Sequence, residues 1–361
     1  MRTLIAQNAT VEETIEAMVA FWDTLFSSRK KGVYITGLYY ESVPTYQSNS
    51  HAGYWLGGEW NLLVTPPGTV SSSPSQIFIA GTDVYITGVC KREVIIQSGY
   101  WKNGEWHTFD TISQYGTSKT AEDIAVAANG DVYITGTRFE RETDTSLKHY
   151  SGYWLNGIWH DLPVPSNFIR SSTEGIIIDD GNVYIGGRYS DSNPDNSYPC
   201  YWVNGMRHEL PINGGIIRDS HVNKGIAVSG GKVYTLHGYS GYWINDIWHE
   251  LPQKGEYNGI AVSGDDVYVI GFVDNCGYWH NEEWHELPKP VSSTCISPWS
   301  IAVFDRDVYI TGRYSGTDGI NHPCYWRNGI LHLLAEPTDA AGSFAVAVAM
   351  ANVKRTNKEE N

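Results

Sequence analysis

Cysteine and basic residues are scarce in this chain. Its five Cys, at 90, 200, 276, 295 and 324, form no CxxC pair. An odd, scattered set is neither a disulfide framework nor a zinc site. Lys and Arg total 25 against 40 Asp and Glu, a formal charge of −15, and the longest basic run is Arg29-Lys30-Lys31. A field of that sign repels phosphate backbones and anionic bilayers, so nucleic acid is not expected as a partner. No uninterrupted apolar run reaches the length of a transmembrane segment. The opening Met1-Arg2-Thr3-Leu4-Ile5-Ala6-Gln7 lacks the apolar stretch of a signal peptide. There is also no HExxH, no Gly-x-Ser-x-Gly and no phosphate-binding glycine loop, and no cofactor is expected.

Aromatics and glycine are plentiful instead: 14 Trp, 24 Tyr and 37 Gly mark a folded, turn-rich protein. The organising phrase is Val-Tyr, a short apolar stretch and Gly, beginning at Val33, Val84, Val132, Val183, Val233, Val267 and Val308. Each is followed by a Tyr-Trp pair, at Tyr54, Tyr100, Tyr153, Tyr201, Tyr242, Tyr278 and Tyr325. A turn, usually Asn-Gly, comes next, and then a segment such as Trp159-His160-Asp161-Leu162-Pro163. Six of the seven phrases are preceded by an aliphatic stretch such as Gly259-Ile260-Ala261-Val262. The spacing runs from 34 residues (Val233 to Val267) to 51 (Val33 to Val84), the period of propeller blades.

Each unit therefore reads as four strands, a to d: the aliphatic stretch, Val-Tyr-Ile-Thr-Gly, Tyr-Trp, and Trp-His-x-Leu. The a–b connection is a tight turn such as Asn129-Gly130-Asp131. The c–d connection is Asn103-Gly104, Asn156-Gly157, Asn204-Gly205 or Asn328-Gly329, residues that tolerate the positive φ of a type I′ hairpin. Twelve of the 14 Trp occupy repeat positions on strands c and d, where they are expected to fill the space between neighbouring blades. Six His recur on strand d, at 107, 160, 208, 249, 285 and 332. Equivalent outer positions of different blades lie too far apart for one metal ion, so these are scaffold.

The first unit lacks a strand a of its own, whereas Ser343-Phe344-Ala345-Val346-Ala347-Val348-Ala349 follows the last strand d without partners. Placing that segment beside residues 33–37 closes a ring and leaves no bare sheet edge. The prediction is an all-β, seven-bladed β-propeller of four-stranded blades, with the C-terminal strand closing blade 1 and a short N-terminal helix. Thr10-Val11-Glu12-Glu13 is a capping box, and Val11, Ile15, Met18, Val19, Trp22, Leu25 and Phe26 form a helical stripe. The expected organisation is a helical extension over 1–31, the propeller over 32–351 and a disordered tail over 352–361.

Val-Tyr-Ile-Thr-Gly alternating with Gly-Tyr-Trp-x-Asn-Gly and Trp-His-x-Leu-Pro resembles a widespread group of bacterial propeller proteins, mostly uncharacterised and often described as lipoproteins. The resemblance covers residues 33–350. It is also distantly kelch-like, in the Gly after strand b and the Trp on strand d. It implies the fold and names no activity. Members of the group are usually exported, whereas this chain begins with a predicted helix, so the localisation stays unknown.

Antiparallel order puts the short a–b and c–d turns on one side of the disc and the b–c and d–a loops on the other. Loops are expected over 39–52, 89–98, 137–151 and 188–199 (b–c) and over 64–75, 111–122, 164–174, 212–224 and 289–299 (d–a). Long, varied loops on a rigid scaffold are where binding resides. Candidate ligand-binding residues there are Tyr39, Asp123, Arg138, Glu174, Arg188, Tyr189, Tyr239, Trp299, Arg313 and Tyr314. Gly187-Arg188-Tyr189-Ser190 and Gly312-Arg313-Tyr314-Ser315 echo each other, and two Arg-Tyr pairs near one mouth suit a carboxylate, phosphate or sugar. Asp191-Ser192-Asn193-Pro194-Asp195-Asn196 alternates oxygen ligands but lacks the Gly and distal Glu of a calcium loop. The expected function is a non-enzymatic scaffold that holds a protein, peptide or glycan. The alternative is a carbohydrate hydrolase or lyase with Asp123 and Glu174 as acid and base and Arg188 or Arg313 orienting substrate.

Overall fold

The computed structural model describes residues 32–41, 49–93, 95–109, 119–141, 147–191, 196–212, 225–237, 239–337 and 340–351. These residues form 28 strands and no helix. The predicted helix within 1–31, the tail 352–361 and the centre of the Asp191–Asn196 segment lie outside the described residues.

Strand b of every unit pairs antiparallel with its strands a and c, and strand c pairs with strand d, giving five separate four-stranded sheets and one of eight strands. The eight-stranded sheet joins the third and fourth units through a single parallel bridge, His149 to Arg170. The tail strand Ser343–Met350 pairs with Val33–Tyr40, from Val33 opposite Met350 to Tyr39 opposite Ser343. The inner strands contact one another in cyclic order and the last of them contacts the tail strand, so the circuit closes. An all-β, propeller-like ring follows.

The repeated residues account for this architecture. In the c–d turns Asn103, Asn156, Asn204 and Asn328 take φ of 50–52° and the following Gly is also positive, the type I′ geometry that strand twist favours. Each Asn side chain also accepts the N–H of the valine that opens strand b, as Asn103 Oδ1 does from Val84 at 2.9 Å. The Trp on strand c is buried, and in five units its indole reaches the preceding unit, whereas Trp279 donates to Tyr257 of its own unit. Trp101 Nε1 donates to the Val64 carbonyl at 2.7 Å, Trp202 to Pro163 at 2.9 Å, and Trp326 to Pro288 at 2.8 Å. Trp55, in the first unit, donates to Ala335 of the last at 2.7 Å. In these blades the buried Leu after strand d is an apolar plug, and the carbonyl of the residue that follows it is an acceptor for the next blade.

The strand-d histidines lie flat on the cross-strand tyrosines of strand c: Tyr100 and His107 are 5.0 Å apart at 15°, Tyr201 and His208 4.9 Å at 6°. Such offset stacks are an ordinary cross-strand contact, and the same ring pair recurs in all six units that carry the histidine. Among the described residues no group of three His, Cys, Asp or Glu could hold a metal ion.

One expectation is corrected. Much of what the spacing assigns to loops is strand: Val89–Arg92 pairs with Ile95–Ser98, and Thr137–Arg141 pairs with Leu147–Ser151. Arg188–Ser190 likewise pairs with Ser197–Pro199, and the d–a segments 71–75, 170–174 and 293–299 belong to inner strands. Backbone groups of two adjacent chain segments satisfy each other whatever the side chains, so polar composition there misled the assignment.

Candidate functional site

The inner strands carry a β-bulge at the same place in six units. The register slips between Thr36 and Gly37, Pro74 and Ile77, Ala121 and Ile124, Thr173 and Gly175, Tyr257 and Gly259, and Pro298 and Ser300. A bulge re-aims one side chain out of the regular alternation. Aligned on the aliphatic residue that follows, the extra residues are Val346, Ser75, Glu122, Glu174, Asn258 and Trp299. The glycine of strand b makes room for it. A Cβ on Gly88 would lie 2.3 Å from the Ser73 carbonyl oxygen, and one on Gly312 2.3 Å from that of Ser297.

Five of these bulge residues, Val346, Ser75, Glu122, Glu174 and Trp299, wall one cavity of about 630 Å³. A second repeat position, the one after the strand-b glycine, contributes Leu38, Arg188 and Arg313 to the same wall. Ser73, Ser172, Ser297 and Phe344, opposite that second position, also line it, as does Asp123 beside Glu122. The site is thus assembled from five units far apart in sequence.

Its charges are unevenly settled. Arg188 Nε lies 3.5 Å from Glu174 Oε1, both side chains mostly buried. Asp123 accepts Ile124 N–H at 2.8 Å and, across the interface, Ile176 N–H at 3.0 Å. The Glu122 carboxylate accepts hydroxyls from Thr173 at 2.5 Å, Thr137 at 3.0 Å and Thr120 at 3.1 Å. Desolvation pushes its pKa up, with Glu174's charge acting the same way, while the three hydroxyls pull it down and lose. Arg313 packs its guanidinium over the Phe344 ring, 4.4 Å from the centroid, and burial lowers its pKa.

Of the ten candidates read from sequence, Asp123, Glu174, Arg188, Trp299 and Arg313 are brought together here. The other five lie outside the cavity wall. Tyr39 stacks on His51 at 5.0 Å, and Tyr314 on His322 at 4.8 Å. Arg138 pairs with Glu140 and Asp161 at 2.9 and 3.3 Å and sits over Tyr150. Tyr189 donates to Glu209 at 3.3 Å, and burial with that carboxylate pushes its phenol up to about 12. Tyr239 is 36% exposed, and its carbonyl accepts Gly255 N–H. Glu122, Ser75 and Val346 were missed. The signal for them is present: each stands two residues before the Ile or Val that opens the aliphatic stretch, as Glu174 and Trp299 do.

The fold is propeller-like. A puromycin-hydrolysing peptidase from Mycobacterium tuberculosis superposes at TM-score 0.55, with 12% identity over 85% of this chain and 52% of that one. An acylaminoacyl peptidase from Pyrococcus horikoshii does so at 0.51, with 11% identity over 84% and 50%. The chain spans about half the length of both peptidases, and at such identity the likeness speaks for fold alone. No protein-family model and no curated protein sequence matches the chain. Within this propeller-like ring the cavity lies where the inner strands bulge, and nothing in it depends on a resemblance of sequence.

Proposed function

We propose that residues 32–351 form one seven-bladed propeller, closed by the tail strand, whose role is to bind a ligand in the cavity at the mouth of its channel. One observation carries this reading: two repeat positions, varied in residue type where the scaffold positions are constant, converge from five units on a single cavity of about 630 Å³. That volume is within the usual range for small-ligand sites and suits a peptide end or one to two sugar rings. Asp123, bonded to two backbone amides, and Glu174, paired with Arg188, are engaged structurally. This favours a binding scaffold over acid–base chemistry by those two groups. Similarity to bacterial propellers of the Tyr-Trp-x-Asn-Gly type is consistent with such a role.

The hydrolase or lyase reading keeps one supporting observation. Glu122, whose pKa is raised by burial and by the nearby charge of Glu174, is the kind of carboxyl a general acid requires. The test is a glycan and peptide binding screen with the wild type and Ser75→Trp. The bulge position already accepts Trp in the seventh unit, so the new ring should fill the cavity without unfolding the blade. Ligands of the wild type should be lost in the variant; equal binding by both refutes the cavity. Turnover of any bound glycan that disappears in Glu122→Gln would establish the enzymatic reading.

A further inference from the structure

The two cavity-facing repeat positions are filled in matched pairs. In the fourth unit Arg188 stands against Glu174, a cation with its own counter-charge 3.5 Å away. In the third, Thr137 stands against Glu122 and donates its hydroxyl at 3.0 Å. In the seventh, the position equivalent to Arg188 is Arg313, and the position equivalent to Glu174 is Trp299. Arg313 has no carboxylate within ion-pair distance among the described residues, only the face of Phe344 at 4.4 Å. A partly buried guanidinium without a counter-ion is costly, because removing a cation from water is repaid only by a partner charge or hydrogen bonds. Here that cation lies in the wall of an open cavity.

We infer that Arg313 is the anion subsite of this cavity, and that its ligand is a small hydroxylated carboxylic acid of the sugar-acid kind. The inference rests on the cavity-binding reading and goes beyond it by naming the ligand's chemistry. A carboxylate matches the planar guanidinium fork with two parallel hydrogen bonds. Trp299, beside Arg313 in the wall and 43% exposed, offers an apolar face to the ligand's body. Ser73, Ser75, Ser172 and Ser297 are also in the wall, which suits a body bearing hydroxyls. Arg188 is not equivalent despite its matching sequence context, since Glu174 already neutralises it.

The experiment uses the full chain and compares acids with their uncharged counterparts: glucuronate and galacturonate against their primary amides and against glucose and galactose, with glucose 6-phosphate as a phosphate arm. Binding is read by calorimetry. The wild type should prefer the carboxylates over the matched amides, and Arg313→Gln should abolish that preference, an effect on the order of tenfold to a hundredfold. Arg313→Lys should keep only part of it, since the fork is lost. Thermal unfolding of Arg313→Gln should be unchanged or raised, because an uncompensated charge has been removed; a fall would mean that Arg313 braces the blade instead. Acid and amide bound alike, and lost together in Ser75→Trp, would overturn the anion subsite while leaving the cavity. No carboxylate preference anywhere in the panel overturns it too, and preference for the phosphate alone would reassign the ligand class. Binding that survives Ser75→Trp would sink the cavity itself.

Discussion

Trp101 and Trp106 are neighbours, with ring centroids 4.5 Å apart, yet replacing each by Phe should have opposite consequences. Trp101 is fully buried, and its Nε1 donates to the Val64 carbonyl of the preceding unit at 2.7 Å. The Phe variant loses that hydrogen bond, a net ~0.5–1.5 kcal/mol. It also leaves a void where the larger ring was, worth roughly 1–2 kcal/mol more. Trp106 is half-buried, and its Nε1 is buried without a hydrogen-bond partner. Removing that N–H relieves a desolvation cost of about 1 kcal/mol, which offsets the apolar area lost. The expectation is therefore a loss of about 2–3 kcal/mol for Trp101→Phe and a change near zero for Trp106→Phe. In a thermal melt followed by circular dichroism the first should lower the midpoint by several degrees, at about 2 °C per kcal/mol for a domain of this size. Trp55→Phe, which cuts the equivalent bond to Ala335, should cost as much as Trp101→Phe. Equal losses for 101 and 106 would refute the assignment of stability to the indole bridge. A negligible loss at 55 would mean that the ends of the chain are not held as the interior blades are.

Three further outcomes follow from the same structure. Gly88→Ala should destabilise by about 2 kcal/mol or more, since its Cβ meets the Ser73 carbonyl oxygen at 2.3 Å and cannot move it without breaking the bulge; a wild-type urea midpoint would disprove the close approach. Glu122 has a raised folded pKa, so its contribution to stability is complete below the ordinary glutamate value and is lost as pH rises through the raised one. Glu122→Gln should remove that descending limb and be the more stable protein at neutral pH, by roughly 1 kcal/mol, and a difference that shrinks as pH rises would contradict it. Of the five free thiols only Cys295 is exposed, while burial pushes Cys90 up to about 12 and Cys276 up to about 11. Titration of the native protein with a thiol reagent should find one fast group, absent in Cys295→Ser.

The regular scaffold was legible because each of its features is a local requirement repeated many times. Asn-Gly announces a positive-φ turn wherever it falls, and Trp-His-x-Leu-Pro marks an outer strand whatever its neighbours. The tail strand was found by a deficit: one unit lacked an inner strand and one stretch lacked partners. The site was half legible. Asp123, Glu174, Trp299, Arg188 and Arg313 follow from residue type and place, but Glu122, the sequence neighbour of Asp123, does not. One residue's difference along a regular strand reverses the face, and only the bulge between Ala121 and Ile124, a defect in hydrogen-bond register, lets both neighbours reach the cavity wall.

Residue order alone was enough for the kinds of strand, their turns, their number per unit and the strand that joins the two ends, since these follow from backbone geometry and from periodic burial. Assembly in three dimensions was needed to say which polar groups share one space and which already have partners. Arg188 and Arg313 sit in near-identical sequence surroundings, yet one faces a carboxylate and the other the ring of Phe344. The reason is physical: the counter-charge of a side chain comes from another strand, and its distance from that charge is set only when the blades close around their axis.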